Sequence, residues 1–297
     1  MGRVAAVVVT YNRLEKLRTV LASIDAQSAR PEWIVVVDNA STDGTGAWLE
    51  EVREQYRLDI VTSPTNTGGA GGFALGMQRG YDLGADAVWI MDDDCYPGER
   101  SLELLDAGLS AASRELGYEV PFACSVVTFT DGEICEMNNP TPTWDWARLW
   151  AKGQRSVLVS SCSFVSVLVP RGSLERHGLP YAEYFIWFDD QEYTLRLSRA
   201  DGAGVQVLDS VVVHDMGDNK GVNFSHITEA NAWKFAYGIR NEASYQLHHR
   251  GFASWLMFAA RVLVLMHRGG VAWRLRMRMI GRLFAGIGFN PKVAPVR

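Results

Sequence analysis

The chain opens on an unbroken apolar run, Arg3–Thr10 (RVAAVVVT), in which every position from 4 to 9 is Val or Ala. A run without polar alternation predicts a strand covered on both faces. Polar Tyr11-Asn12-Arg13 follows, and then Leu14–Gln27, where Leu17, Val20, Leu21 and Ile24 recur at helical spacing. The rhythm continues: Glu32–Val37 reads as a strand, Thr45–Tyr56 as a helix, Leu58–Thr62 as a strand, Phe73–Leu83 as a helix and Ala87–Met91 as a strand. Alternation of this kind predicts an α/β fold, a mostly parallel central sheet flanked by helices.

Further along, Ser101–Arg114 is helix-like, Phe122–Thr130 reads as a strand, and Ser156–Val169 reads as one long apolar strand. Pro170–His177 begins a turn and short helix, and Val211–His214 is another strand. Asn138–Trp150 is rich in Pro and Trp with poor periodicity. It is an irregular segment, either beside a sugar site or over a satellite core. From Ile227 the pattern turns wholly helical, over Trp233–Gln246, Phe252–Met266 and Val271–Leu283. The expected division is a domain at 1–225 and a helical, basic region at 226–297.

Polar residues collect where the strands stop, at Thr10–Arg13, Asp38–Asn39, Asn66–Gly72 and Asp92–Asp94. Open parallel sheets bind ligands beyond those ends. The stretch ADAVWIMDDDCYPG (85–98) is the most telling, because a buried strand runs straight into three carboxylates. Such charges need a cation, a basic side chain or solvent. Strand alternation lets Asp92 and Asp94 share a face while Asp93 points away. Two hard oxygen ligands there suit Mg²⁺ or Mn²⁺; an acidic turn capping the next helix is the plainer alternative. The glycines of Asn66–Gly72 (NTGGAGG) permit close backbone approach to a ligand at a helix start.

Composition sharpens this in one respect. Of 297 residues, 29 are basic and 34 acidic, yet residues 243–297 hold nine Lys or Arg and no acid. The tail is thus +9 on a body of −14, which points to an anionic surface; no nucleic-acid module accompanies it. Phe252–Met266 is too short for a transmembrane helix. Arg274, Arg276, Arg278 and Arg282 among Trp273, Leu275, Met277, Met279 and Ile280 suit a helix lying in a headgroup plane. A helix docked on the domain with its basic side in water is the alternative. The four cysteines have no metal-binding spacing, and with no leader read at the N-terminus the expected setting is reducing and cytoplasmic.

TYNR at 10–13, VVDNASTDGT at 36–45, NTGGAGG at 66–72 and DDD at 92–94 together resemble the inverting GT-A glycosyltransferases of family 2. With WFDDQEY at 187–193 and RNEASYQLHHRG at 240–251, the resemblance is nearest to actinobacterial galactofuranosyltransferases. It implies a GT-A fold and transfer of galactofuranose from UDP-galactofuranose to a polyprenyl-diphosphate-linked GlcNAc–rhamnose acceptor at the cytoplasmic membrane face. A rhamnosyltransferase using dTDP-rhamnose shares much of the pattern. A reading of another class is a non-catalytic membrane adaptor keeping the fold, and a homo-oligomer is also compatible.

The resemblance further implies roles. Thr10, Tyr11, Asn12, Arg13, Asp38, Asn39, Asn66, Gly68, Gly69, Gly71, Gly72, Asp92 and Asp93 are expected around the nucleotide sugar. Asp92, Asp94 and His214 are expected on the divalent cation, with His tilting the choice toward Mn²⁺. Asp190 aligns with the general base, and Trp187, Asp189 and Glu192 are expected on the acceptor side. From the residues alone, Asp189 could equally be a helix N-cap. Met216–Phe224 is expected as a flap over the donor, with Lys220 on phosphate or in solvent.

Overall fold

The computed structural model describes residues 2–297. The strands are β1 (Val4–Thr10), β2 (Trp33–Asp38), β3 (Leu58–Thr62), β4 (Ala87–Asp92), β5 (Cys95–Pro97), β6 (Ala123–Thr128), β7 (Thr141–Pro142), β8 (Ser156–Ser161), β9 (Val167–Pro170) and β10 (Gly204–His214). The helices are α1 (Leu14–Asp25), α2 (Thr45–Tyr56), α3 (Gly68–Asp82), α4 (Ser101–Leu116), α5 (Arg171–His177), α6 (Asp189–Asp201), α7 (Ala232–Tyr245), α8 (Phe252–Arg268) and α9 (Trp273–Gly288). One sheet runs in the order β3-β2-β1-β4-β9-β6-β10-β8-β7, with β5 pairing β10 off that path. β1 to β4 pair in parallel, and β6 pairs β10 in parallel; β9 lies antiparallel to both β4 and β6.

The apolar runs behave as their composition requires. In β1, Val4, Ala6 and Val8 face a core formed with α1, α2 and α4, while Ala5, Val7 and Val9 face a second core with α3 and α6. A third apolar cluster spans Phe224 to Leu283 and is built by α7, α8 and α9. α9 lies so close on α7 that a Cβ at Gly286 would stand 2.7 Å from that of Ala243. The chain then returns to the α/β body: Phe289 packs near Tyr184, Leu179 N–H donates to Ala294 O (2.9 Å), and Arg297 N–H donates to Gln78 (3.3 Å).

Two expectations need correction. Ser156–Val169 is two strands, not one, because Ser166 turns in the left-handed region (φ 61°) and its hydroxyl accepts from Trp89 Nε1 (2.9 Å). α3 begins at Gly68 and not at Phe73, so the glycine stretch is the first turns of the helix. Those glycines let the helix touch the sheet. A Cβ at Gly72 would lie 2.4 Å from Val9 Cγ1, and one at Gly76 would lie 2.3 Å from Val7 Cγ1.

Candidate active site

Register builds the site. Thr10 pairs with Asp38 and Val9 with Asp92, which brings the ends of β1, β2 and β4 to one level. After the aspartate triplet the chain folds back as β5 and pairs antiparallel with the end of β10, His214 opposite Cys95. Residues 120 positions apart thereby meet: His214 Nε2 lies 3.1 Å from Asp94 Oδ1. One ligand atom each from Asp92, Asp94 and His214 falls within 4.8 Å of the others.

Asp93 is not part of that trio; β4 stops at Asp92, so Asp93 and Asp94 form a turn and strand alternation does not set their directions. Asp93 accepts from Thr10 Oγ1 (2.8 Å), Tyr11 N–H (3.3 Å) and the Arg13 guanidinium (3.1 Å). Arg13 also reaches Asp94, and Lys16 Nζ stands 4.0 Å from Asp94 Oδ2 and 3.3 Å from Asp215. Burial pushes Asp92 up to about 8, reinforced by the charge of Asp94, and lifts Asp93 to about 6. Burial would raise Asp94 too, but His214, Arg13 and Lys16 hold it below the ordinary carboxylate value. For His214 burial acts downward, and the hydrogen bond and charge of Asp94 overcome it and raise the ring.

The donor set fits a divalent cation on its own chemistry. His214 Nδ1 lies 2.7 Å from Asn138 Oδ1, an amide whose Nδ2 donates to Ser163 Oγ (2.8 Å). An amide oxygen only accepts, so Nδ1 carries a proton; in its hydrogen bond to Asp94 the ring also bears one on Nε2, and giving up that second proton would leave on Nε2 the lone pair a metal ligand needs. Two carboxylates and that nitrogen suit Mg²⁺ or Mn²⁺, the imidazole favouring Mn²⁺.

A second carboxylate station lies at the start of α6. Phe185, Trp187 and Phe188 all take positive φ (66°, 65° and 72°) just before Asp189 and Asp190. Non-glycine residues in that region cost about 1–3 kcal/mol each and persist only where surroundings hold them. Phe188 occupies the N-cap position, so Asp189 is not the cap: it is the first helical residue and is buried. The cause is the left-handed Phe188, which places the helix start one residue earlier. Burial and the charge of Asp190 push Asp189 up to about 8. Burial also raises Asp190 to about 6, against hydrogen bonds from the Gln191 and Phe164 N–H groups. Phe164 follows Ser163, so the segment 162–166 touches both Asp190 and the Asn138 that holds His214.

The remaining expected residues are placed as follows. Asn39 is buried, donates to Gly68 O (2.9 Å) and accepts from Thr67 N–H (2.9 Å), and Asn66 accepts from both Asn39 and Gly68 N–H. Asp38 accepts from Ser41 N–H (2.9 Å), and Asn12 takes φ 53° while accepting from Thr42 N–H (2.7 Å). A Cβ at Gly69 would meet only Phe73 Cε2, at 3.9 Å, whereas Gly71 and Gly72 are buried against Thr67 and Val9. Glu192, expected on the acceptor side, is buried and paired with Arg196. Trp187 packs edge-on to Phe235, ring centroids 4.8 Å apart. Lys220 is exposed and pairs with Asp218, while its neighbours Asn219 and Gly221 are tied to Glu136.

Sequence reasoning missed Lys16, Asp215 and Asn241 as parts of the site, and reached Asn138 only as the start of a segment that lay either beside the sugar site or over a satellite core. Each is a polar residue in a helix, loop or strand end whose partner is distant in sequence, and no spacing marks it.

Residues 5–111 match the family model described as Glycosyl transferase family 2. Over 234 residues the chain is 30% identical to galactofuranosyltransferase GlfT1 of Mycobacterium tuberculosis (strain ATCC 25618 / H37Rv), covering 73% of this chain and 71% of that protein. GlfT1 of Mycolicibacterium smegmatis is 39% identical over 129 residues, 41% of this chain and 40% of the relative, so that match spans less than half of either. Among solved structures, GalNAc-T7 crystallised with UDP, GalNAc and Mn²⁺ superposes with a TM-score of 0.63 at 13% identity, over 83% of this chain and 48% of that one. That likeness speaks for the fold, which is GT-A. The order of motifs, the fold and the extent of these matches agree, and the chain belongs to glycosyltransferase family 2, with sequence similarity over most of its length to mycobacterial galactofuranosyltransferase.

Proposed function

We propose that this chain is a metal-dependent, inverting glycosyltransferase that moves galactofuranose from UDP-galactofuranose to a polyprenyl-diphosphate-linked GlcNAc–rhamnose acceptor, starting a cell-wall galactan. The carrying observation is the pair of carboxylate stations, Asp92–Asp94–His214 and Asp190, joined through Asn138, Ser163 and Phe164. Donor and acceptor identities draw on similarity to the galactofuranosyltransferases.

Asp92, Asp94 and His214 would hold the cation, which supplies charge neutralisation to the departing nucleotide diphosphate. Arg13, paired with Asp93 and Asp94 in the free chain, is placed to exchange one of them for phosphate. Thr10, Tyr11, Asn12, Asp38 and Asn39 line the nucleoside edge, and Asn66, Gly68 and Gly69 the sugar side. Asp190 takes the proton from the attacking acceptor hydroxyl. A value raised to about 6 leaves it mostly ionised at neutral pH and more basic than an ordinary carboxylate, which favours that task.

Residues 1–225 would carry donor and base, and 226–297 the contact with the cytoplasmic face of an anionic membrane that a lipid-linked acceptor requires. The support is the outward face of the last helices. Phe252, Leu256, Met257, Leu263 and Val264 of α8 are exposed, as are Trp273, Met277 and Phe284 of α9, beside outward Arg274, Arg278 and Arg282. Such a face matches an interfacial helix pair. Arg276, expected among them, instead folds back to donate to Val271 O (2.6 Å).

The test is Asp190→Asn, which keeps shape and removes the proton acceptor. Turnover should fall by roughly 10²–10⁴-fold with UDP affinity nearly unchanged. Transfer at the wild-type rate would assign the base elsewhere. A parallel donor comparison separates neighbours: preference for dTDP-rhamnose would make this a rhamnosyltransferase. Binding of UDP with no transfer by the unmutated chain would favour the adaptor.

A further inference from the structure

The strained loop before the base has an anchor outside the α/β body. Asn241 of α7 is fully buried, and the two hydrogens of its Nδ2, one of them shared, serve three backbone carbonyls of that loop: Tyr184 O (2.9 Å), Ile186 O (3.2 Å) and Trp187 O (2.9 Å). Left-handed Phe185, Trp187 and Phe188 rotate their peptide planes, and the carbonyls that converge as a result need a donor among them. The amide is oriented by Arg240, whose guanidinium donates to Asn241 Oδ1 (2.8 and 3.0 Å) and to Glu183 O (2.8 Å). The loop aromatics sit on the same helix: Phe185 stacks on Tyr237 (4.7 Å), Trp187 meets Phe235, and Phe188 meets Tyr245 (5.2 Å). On its other side the loop touches the start of α3, where Phe185 O accepts from Ala70 N–H (3.2 Å).

We propose that Asn241 is a positioning residue for sugar transfer: its amide holds Tyr184–Phe188 in the conformation that presents Asp190 to the acceptor hydroxyl. The inference rests on reading Asp190 as the base. It assigns the helical region a part in the chemistry distinct from any membrane contact, because Asn241 is a buried side chain that donates into the loop where its residues take positive φ. The strain is spent on aim: a relaxed loop would start α6 at a different residue and turn Asp190 away.

Asn241→Ala is measured for binding of Mn²⁺ with UDP and for transfer from UDP-galactofuranose to the lipid-linked acceptor. We expect kcat to fall about 10- to 100-fold, the loss that a misplacement near 1 Å brings, while UDP affinity stays within about two-fold. In the Asn241→Ala background, Asp190→Asn should cost far less than it does alone, because the two residues act as one unit. Wild-type kcat in Asn241→Ala, or losses that simply multiply, would overturn the proposal. Gly238→Ala displaces the same loop with Asn241 intact, since its Cβ would lie 2.9 Å from Trp187 Cε3. It should lower kcat in the same way, and if Asn241→Ala does not fold it decides alone, an unchanged kcat overturning the proposal. If Asp190→Asn itself transfers at the wild-type rate, the base reading falls and this inference with it. A crippled Asp190→Asn beside an unaffected Asn241→Ala sinks only the latter.

Discussion

Asp92 carries a proton in the folded chain at pH values where an unfolded chain has lost it, because burial lifts it from 3.8 to about 8. Asp189 does the same. Between those limits the native state binds more protons than the unfolded one, so stability drops as pH rises. Asp93 and Asp190, lifted to about 6, and Glu242, lifted by burial to about 7, act in the same direction over the lower part of the range. Thermal melts in EDTA should therefore show Tm falling from about pH 5 to about pH 8, less steeply above pH 6 in Asp92→Asn, which removes one of the two groups lifted furthest. Mn²⁺ must displace the proton on Asp92, so its stabilisation should be larger at pH 8 than at pH 6. A Tm independent of pH in EDTA, in wild type and variant alike, would contradict this. At this scale the sequence was readable where residue type suffices: Asp92, Asp94 and the strand-end His214 come together, but through a turn at Asp93–Asp94 and the β5–β10 pairing and not through strand alternation. Asn138 and Asn241 fell inside stretches the sequence had singled out, 138–150 and RNEASYQLHHRG, but their partners were not readable. Their importance lies in partners 76 and 54 to 57 positions away, across register and loop strain that no local pattern encodes.

Most helices and strands followed their periodicities; β5, β7 and the first seven residues of β10 were not read, and two other misreadings share a cause. An apolar run does not show where a chain leaves the sheet, so the break at Ser166 inside Ser156–Val169 was invisible. Glycines suggest loops, so the first turns of α3 were read as one, although their missing side chains serve helix-on-sheet contact. That contact is testable. Gly76→Ala would put a Cβ 2.3 Å from Val7 Cγ1 and 3.0 Å from Val37 Cγ2, both in the sheet core. It should lose about 1–3 kcal/mol in denaturant unfolding, the cost of overpacking. Gly69→Ala, with nothing nearer than Phe73 Cε2 at 3.9 Å, should keep its stability or gain some. Equal effects at the two positions would show that helix propensity and not contact is being measured.

Across the whole molecule, charge and apolar exposure are both lopsided toward the last helices, and no helix among the described residues is long and apolar enough to cross a membrane. Trp273 and Met257 are 70% and 67% exposed, next to arginines with no acidic residue beyond position 242. Replacing Arg274, Arg278 and Arg282 with Glu should weaken binding to vesicles containing phosphatidylserine by more than about 3 kcal/mol, about 1 kcal/mol per lost arginine before repulsion adds. Co-sedimentation at low salt reads this, and unchanged binding would turn that face toward something else. The return of the chain after α9 has a mechanical consequence. Residues before 226 and after 288 both rest on the α/β body, the latter through Phe289, Ala294 and Arg297. A pull on α8 and α9 therefore loads two moorings in parallel, and the helices must be sheared from the body as a unit where a single hinge would let them peel.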